Sequence, residues 1–454
     1  MTPLESVAAW ASTVRPNDIP ASQHRLARLR LLDTLGLIAA ASVEPVCRSV
    51  LKWAKPYTGA GRSTIVIDGT RAPAAIAALV HGTLAHARDF DDTFPDSVIH
   101  PGSVVVPAAL AAGEEIDVGW PELATAVVLG YEIAARLGRM AGRGFHARGF
   151  HATGIVGPVA AAATASRLLK LDAEATADAL GLATSMSSGL LAFLPDGAWS
   201  KWLHTGWSAH GGIIAAELAR ERFRGPHHGF DHPAGLFGAF LGDASPDCGL
   251  LTQDLGMVWR GAEALPKLYP CAHVIQPFID AALALRSRGE ADIEQIRFIR
   301  CTVAPWAYPI VCVPREPKLA PRNDLEAIAS LPFMVAAALR DGAVNLDTLR
   351  EAALRRDDVR QLAARIECDM DETLGAGFDG AIRIIRSDGE TAEPVGLAPV
   401  DSDRIKSKFH SNAAHLYAPD AADALATALL EGEPSARDIL RLASTVPRVE
   451  RASF

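Results

Sequence analysis

The chain has 454 residues, and 44 Lys and Arg against 53 Asp and Glu leave a net charge of −9. Hydrophobic residues make up 49% and charged residues 21%, which excludes a disordered or fibrous chain. An acidic balance without a basic block argues against a nucleic-acid surface. The six Cys, at 47, 248, 271, 301, 312 and 368, form no CxxC pair, so neither a disulfide framework nor a zinc ribbon is expected. The plain reading is an enzyme with reduced thiols in the cytoplasm.

The N-terminus, MTPLESVAAWASTV, carries no basic region and no apolar stretch of the signal-peptide kind. Apolar windows such as 74–85 and 104–112 are shorter than the roughly 20 residues a membrane span needs. A soluble protein is expected, with no membrane or nucleic-acid partner.

Residues 1–264 are expected to be helix after helix. The periodicity predicts helices over Arg25–Ala41, Ala74–Ala87, Val104–Glu115, Glu122–Ala141, Thr153–Leu169, Ala173–Ser188 and Ser208–Phe223. Small residues recur in them, so close crossings are expected. A short strand over Thr64–Ile67 is the one exception. Residues 265–405 change in texture. Ile293–Val303 alternates like a strand, and Ile382–Arg386, SDGE and Thr391–Val395 read as a hairpin. Helices Leu325–Leu339 and Leu346–Arg355 lie between them, so this is a smaller α+β module. Residues 406–454 return to Ala/Leu helix (Ala421–Leu430, Ala436–Ala443) and are expected to rejoin the first domain.

Chemistry concentrates first in HGTLAHARDFDDTFPDSVIHPGSVVVPAAL, residues 81–110. Asp89, Asp92 and Thr93 stand at i, i+3 and i+4, which would put two carboxylates and a hydroxyl on one helix face. His100 precedes Pro101, Gly102 and Ser103 at a predicted helix start. His151 precedes Ala152, Thr153 and Gly154 at another, and Lys201 with His204 and Thr205 precedes a third. Free N–H groups and the positive dipole end make such starts anion sites. Three of them together suit a substrate with two or three carboxylates. Ordinary N-caps at Ser103, Thr153 and Thr205 are the bland alternative. Lys267, in KLYPCAH at the change of texture, is a further candidate for holding a carboxylate. His146, Arg148, His227, His228, His232, His81 and His86 read as loop or surface residues.

No GxxxxGK[ST] loop, strand–GxGxxG–helix unit or GxSxG elbow is present. Carboxylate, imidazole, ammonium and hydroxyl groups remain. They suffice for proton abstraction beside a carboxylate, with a general acid assisting a leaving group and Lys201 neutralising developing charge.

The motifs HGTLAHARDFDDT…HPGSVVVPAALAAGE, GFHATGIVGPVAAAATASRLLKLD, SKWLHTGWSAHGGIIAAELARERFRGP, LPKLYPCAHVIQP and EAIASLPFMVAAAL resemble the MmgE/PrpD family. That family includes 2-methylcitrate dehydratase, cis-aconitate decarboxylase and iminodisuccinate epimerase. The resemblance implies a mainly α protein, with a discontinuous all-helical domain and an inserted, smaller α+β lid domain. It also implies an active site in the cleft, a homodimer, and no metal or organic cofactor. By motif it assigns catalysis to His100, His151, Lys201 and Asp89, and substrate contacts to Thr93 and Lys267; the helix-start reading adds Thr153 and His204 as expected substrate contacts. The expected activity is a cofactor-independent lyase on a small di- or tricarboxylic acid, foremost a 2-methylcitrate dehydratase-like hydro-lyase. An epimerase of a substituted succinate and a cis-aconitate decarboxylase-like enzyme are the alternatives. The decarboxylase branch carries a lid tyrosine ahead of the EAxxS stretch, where this chain reads CVPREPKLAPRND.

Overall fold

A computed structural model describes residues 1–194, 197–242, 246–375, 377–397 and 400–445. The fold is mainly α, and the chain divides into two compact units. One comprises Met1–Pro266 with Asp401–Phe454, the other Lys267–Val400. Among the described residues no helix is long and apolar enough to cross a membrane.

The first unit is built around helices that are apolar on every side. All residues of Ala74–Ala85 are buried, as are nearly all of Gly102–Glu115 and Ala152–Leu168. A helix without a polar face must lie inside the domain. Small residues let these helices approach closely. A Cβ on Gly82 would come within 2.8 Å of the Gly206 Cα, and one on Gly212 within 2.4 Å of the Ala161 Cβ. Helix Ser200–Arg220 thus packs tightly on both Ala74–Ala85 and Ala152–Leu168.

The C-terminal segment adds helices Ser402–Ala413, Pro419–Glu431 and Ala436–Thr445 to this unit. From the first of them, Lys408 reaches inward. Its Nζ stands 2.7 Å from Asp33 and donates to the carbonyl of Phe90 at 2.8 Å. Burial pushes the Asp33 carboxyl up to about 6, against the opposing pull of Lys408.

The second unit holds a four-stranded sheet in the order 366–370, 296–303, 380–386, 390–395. Ile296–Val303 pairs in parallel with Ile366–Met370 and antiparallel with Gly380–Arg386. The hairpin closes with Ile385 opposite Glu390, and its turn is secured by Arg386 N–H donating to the Gly389 carbonyl.

Several elements differ from expectation. Helix Leu325–Leu339 is two helices, Asp324–Ile328 and Leu331–Asp341, because Ser330 caps the second and Pro332 occupies its first turn. Leu346–Arg355 likewise splits into a 3₁₀ turn, Leu346–Leu349, and a short helix, Glu351–Leu354. The helix expected from Ser208 begins eight residues earlier, at Ser200. The strand at Thr64–Ile67 shrinks to Ser63–Thr64, paired with Arg71–Ala72.

Candidate active site

Between helices Ala74–Ala85 and Gly102–Glu115 the chain runs as a buried loop, so the helix face expected for Asp89, Asp92 and Thr93 does not exist. Asp89 and Val98 have φ of 49° and 57°, which no helix tolerates. The loop is held instead by its own carboxylates. Asp92 accepts from Gly102 N–H at 2.9 Å and from the Tyr131 hydroxyl at 2.6 Å, while the Arg30 guanidinium lies 3.6 Å over the Tyr131 ring. A side chain on Gly102 would clash with that carboxylate, its Cβ falling 2.6 Å from Asp92 Oδ1. Here only glycine fits.

Asp91 faces a different set of partners. It accepts from His86 Nδ1 at 2.9 Å and from the Ser103 hydroxyl, and His100 Nδ1 stands 3.4 Å away. Burial alone would raise its carboxyl, but His86, His100 and these hydrogen bonds hold it well below the usual range. Asp91 is therefore ionised. As an acceptor only, it fixes His86 as the Nδ1–H tautomer.

His100 is braced on three sides. Its backbone N–H donates to Thr153 Oγ1 at 3.0 Å, and its Nδ1 lies 3.1 Å from the Asp92 carbonyl and 3.2 Å from Thr93 Oγ1. Its Nε2 is 3.7 Å from Asp89, whose other oxygen pairs with Lys201 Nζ at 2.9 Å. His151 ends the loop before helix Ala152–Leu168, and its Nδ1 lies 3.1 Å from His204 Nδ1. Ring centroids separate His86 and His100 by 4.7 Å, His86 and His151 by 5.6 Å, and His100 and His151 by 6.1 Å. His86 Nε2 and His151 Nε2 are both buried and have no hydrogen-bond partner among the described residues.

Electrostatics follow from that crowding. Burial, and then the neighbouring cations, push His151 well below its ordinary range, and His86, His146 and His204 down to about 4. These four imidazoles are therefore neutral near pH 7. Donor atoms of His86, His100 and His151 lie within 4.8 Å of one another, as do those of His86, Asp89, Asp91 and His100, close enough to surround a divalent ion. The same atoms equally suit the holding and passing of protons.

One cluster thus brings together His100, His151, Lys201, Asp89, Thr93, Thr153 and His204. Lys267 opens the second unit, where it is buried. The N-cap reading fails at all three helix starts. Ser103 bonds Asp91, Thr153 bonds His100, and Thr205 lies inside a helix, donating to the Gly82 carbonyl. The third start is therefore no anion site at Thr205, and at the first the Gly102 N–H is taken by Asp92. His86, expected at the surface, is at the centre of the cluster, and His81 is buried against Val66 N–H. His146 sits in the short helix Gly144–Ala147, 6.0 Å from the His151 ring. A cavity of about 580 Å³ under the 226–240 loop, lined in part by Thr184, Ser187, His228 and His232, contains none of the clustered residues.

The chain is 28% identical over 476 aligned residues to a cis-aconitate decarboxylase-like protein of Aspergillus oryzae, covering 96% of each. It is 27% identical to the cis-aconitate decarboxylase of Homo sapiens, covering 87% of this chain and 84% of that one. The family models of the MmgE/PrpD N-terminal and C-terminal domains match residues 5–249 and 269–432. The chain belongs to the MmgE/PrpD family.

Proposed function

We propose that this chain is a lyase acting on a small tricarboxylic acid, and that it decarboxylates a substrate like cis-aconitate. One observation carries the reading: two unpartnered, buried imidazole nitrogens, His86 Nε2 and His151 Nε2, in the same cluster as the Lys201–Asp89 pair. The cis-aconitate decarboxylases among its relatives support the choice of reaction over the hydro-lyase expected foremost from motif alone.

Decarboxylation of such an acid is an allylic shift. The bond between the methylene carbon and its carboxylate breaks, and CO2 leaves. The freed electron pair forms a new double bond to the central carbon. The old alkene pair takes a proton at the carbon bearing the far carboxylate. One proton is consumed per turnover, so the site must supply an acid at that carbon. His86 and His151 are neutral at rest, because charging them in so buried a place would be costly. A bound trianion reverses that balance and draws a proton onto an imidazole. Lys201 and the positive dipole end of helix Ala152–Leu168 neutralise the remaining carboxylates.

Elimination of water is the second reading. It is favoured by the presence of His100, separately braced by Thr93 and Asp92, 6.1 Å from His151. One imidazole would remove the proton α to a carboxylate while the other protonates the departing hydroxyl. Proton NMR in D2O separates the readings. Decarboxylation of cis-aconitate gives an exo-methylene product carrying one deuteron, together with CO2. A new alkene from citrate or 2-methylcitrate would establish the hydro-lyase and overturn the primary reading. Deuterium in an otherwise unchanged substituted succinate would establish an epimerase.

A further inference from the structure

His204 was expected to touch substrate, yet the structure gives it a different neighbour. Its Nδ1 lies 3.1 Å from His151 Nδ1, and among the described residues no other hydrogen bond engages either residue's Nδ1. The two imidazoles are set against each other by design of the backbone around them. His151 N–H donates to the Gly189 carbonyl, and Gly189 has a φ of +127°, with its side-chain position only 3.2 Å from His204 Nδ1. Any larger residue there would press on the imidazole pair. The Phe193 ring lies 6.1 Å from the His151 ring and 6.2 Å from that of His204, closing the pair from one side.

A contact between two Nδ1 atoms requires one to donate and the other to accept. Burial decides which. His204 is partly exposed, so a proton on its Nε2 is solvated and its Nδ1 is left as the acceptor. His151 is 1% exposed and its Nε2 has no partner. A proton there would be an orphaned buried donor, a rarer and costlier situation than an orphaned lone pair. The proton therefore belongs on His151 Nδ1.

We propose that His204 is a positioning residue which accepts the His151 Nδ1–H, and so fixes His151 in the tautomer whose bare Nε2 loads the proton that replaces CO2. This assignment rests on the decarboxylase reading for the fate of the proton, but the tautomer itself does not. The arrangement repeats on His86, whose Nδ1–H is held by Asp91 and whose Nε2 is also bare. Two stacked imidazoles, 5.6 Å apart and inclined by 20°, thus each keep a bare, buried Nε2 through two different orienting partners. Lys201, Asp89, His100 and His146 are the other ionisable groups around them.

The test combines ¹⁵N NMR with kinetics. Protein labelled with ¹⁵N-histidine, with His151 assigned by its loss in His151→Gln, is expected to show His151 protonated at Nδ1 and not at Nε2. In His204→Leu, which offers no acceptor, that tautomer is lost and kcat falls about 100-fold with KM nearly unchanged. His204→Asn, whose amide oxygen still accepts, restores kcat to within about tenfold and restores the tautomer. A wild-type spectrum with the proton on Nε2, or wild-type kcat in His204→Leu, overturns the assignment. Absence of CO2 release alongside the expected tautomer would instead overturn the decarboxylase reading and leave the role of His204 intact.

Discussion

Two groups of histidines sit in this chain, and they respond to their surroundings in opposite ways. His86, His146, His151 and His204 crowd together near Lys201, and burial holds them uncharged. In the 226–232 loop burial is slight, and His227 lies between Glu5 at 2.9 Å and Asp178 at 3.1 Å. Burial would lower it, but those two carboxylates outweigh burial and raise it. One residue type is therefore held neutral in one place and cationic in the other. What separates them is not the density of histidine in the sequence, which is higher in HHGFDH. It is whether burial outweighs the neighbouring carboxylate, as at His86, or is outweighed by carboxylates, as at His227.

The comparison breaks most sharply at Lys201 and His151. Lys201→Ala and His151→Gln are each expected to lower turnover about 1,000-fold, near 4 kcal/mol of barrier, with the melting temperature little changed. Steady-state kinetics beside thermal unfolding checks this, and near-normal turnover in both variants would dismiss the cluster as the site. Next comes the buried ion pair beneath the loop. Lys408→Met strands Asp33 without its partner and is expected to cost about 3 kcal/mol of stability, measured by denaturant unfolding. Adding Asp33→Asn should recover much of that loss. Acidification then sets the two groups against each other. His81 and His86 have folded pKa values of about 4, below the unfolded value of about 6.5. Their contribution is intact above pH 6.5 and is lost as pH falls towards 4, by about 2 kcal/mol per group at pH 5. His227, raised by its carboxylates, works in the other direction, adding stability at low pH that disappears as pH rises through its folded pKa. The buried groups are more numerous, so the melting temperature is expected to fall between pH 7 and pH 5. A flat or rising profile would mean that these histidines are not held neutral.

Much of the site was legible because its residues are out of place. Four aspartates within eight residues, flanked by His86 and His100, lie between helices that are otherwise apolar, a density that sets the stretch apart. His151, Lys201 and Thr153 were picked out differently, as ionisable and small residues at expected helix starts. What spacing did not show was backbone conformation. The i, i+3, i+4 pattern of Asp89, Asp92 and Thr93 looks helical, whereas the left-handed turn at Asp89 and the bonds of Asp92 to Gly102 and Tyr131 are tertiary facts. His86 and Asp91 were passed over for that reason: their pairing exists only once the loop has folded back. Lys408 left no local signal, since it reaches Phe90 and Asp33 from more than 300 residues away. The helix-rich first region and the strands after 290 were plain from periodicity. The strand at Ile366–Met370 was missed because five residues of mixed exposure carry too little alternation.

The smallest expected effect lies at the clasp, and it separates the two groups most cleanly. His227 joins the loop to the N-terminal helix through Glu5, and to helix Ala173–Ser185 through Asp178. Partly exposed ion pairs of this kind contribute little, because solvent screens them and the side chains lose freedom in forming them. His227→Gln is therefore expected to cost about 0.5 kcal/mol at pH 6 and less at pH 8, where the wild-type ring has lost part of its charge. Catalysis should be unaffected, because none of the residues around Lys201 bonds to His227. Unfolding at the two pH values, paired with turnover, reads both effects. Equal loss at pH 6 and pH 8 would mean that His227 holds its place as a neutral hydrogen-bonding ring. Loss of turnover would mean that the loop and the cluster are coupled, and that the contrast drawn from burial and charge is incomplete.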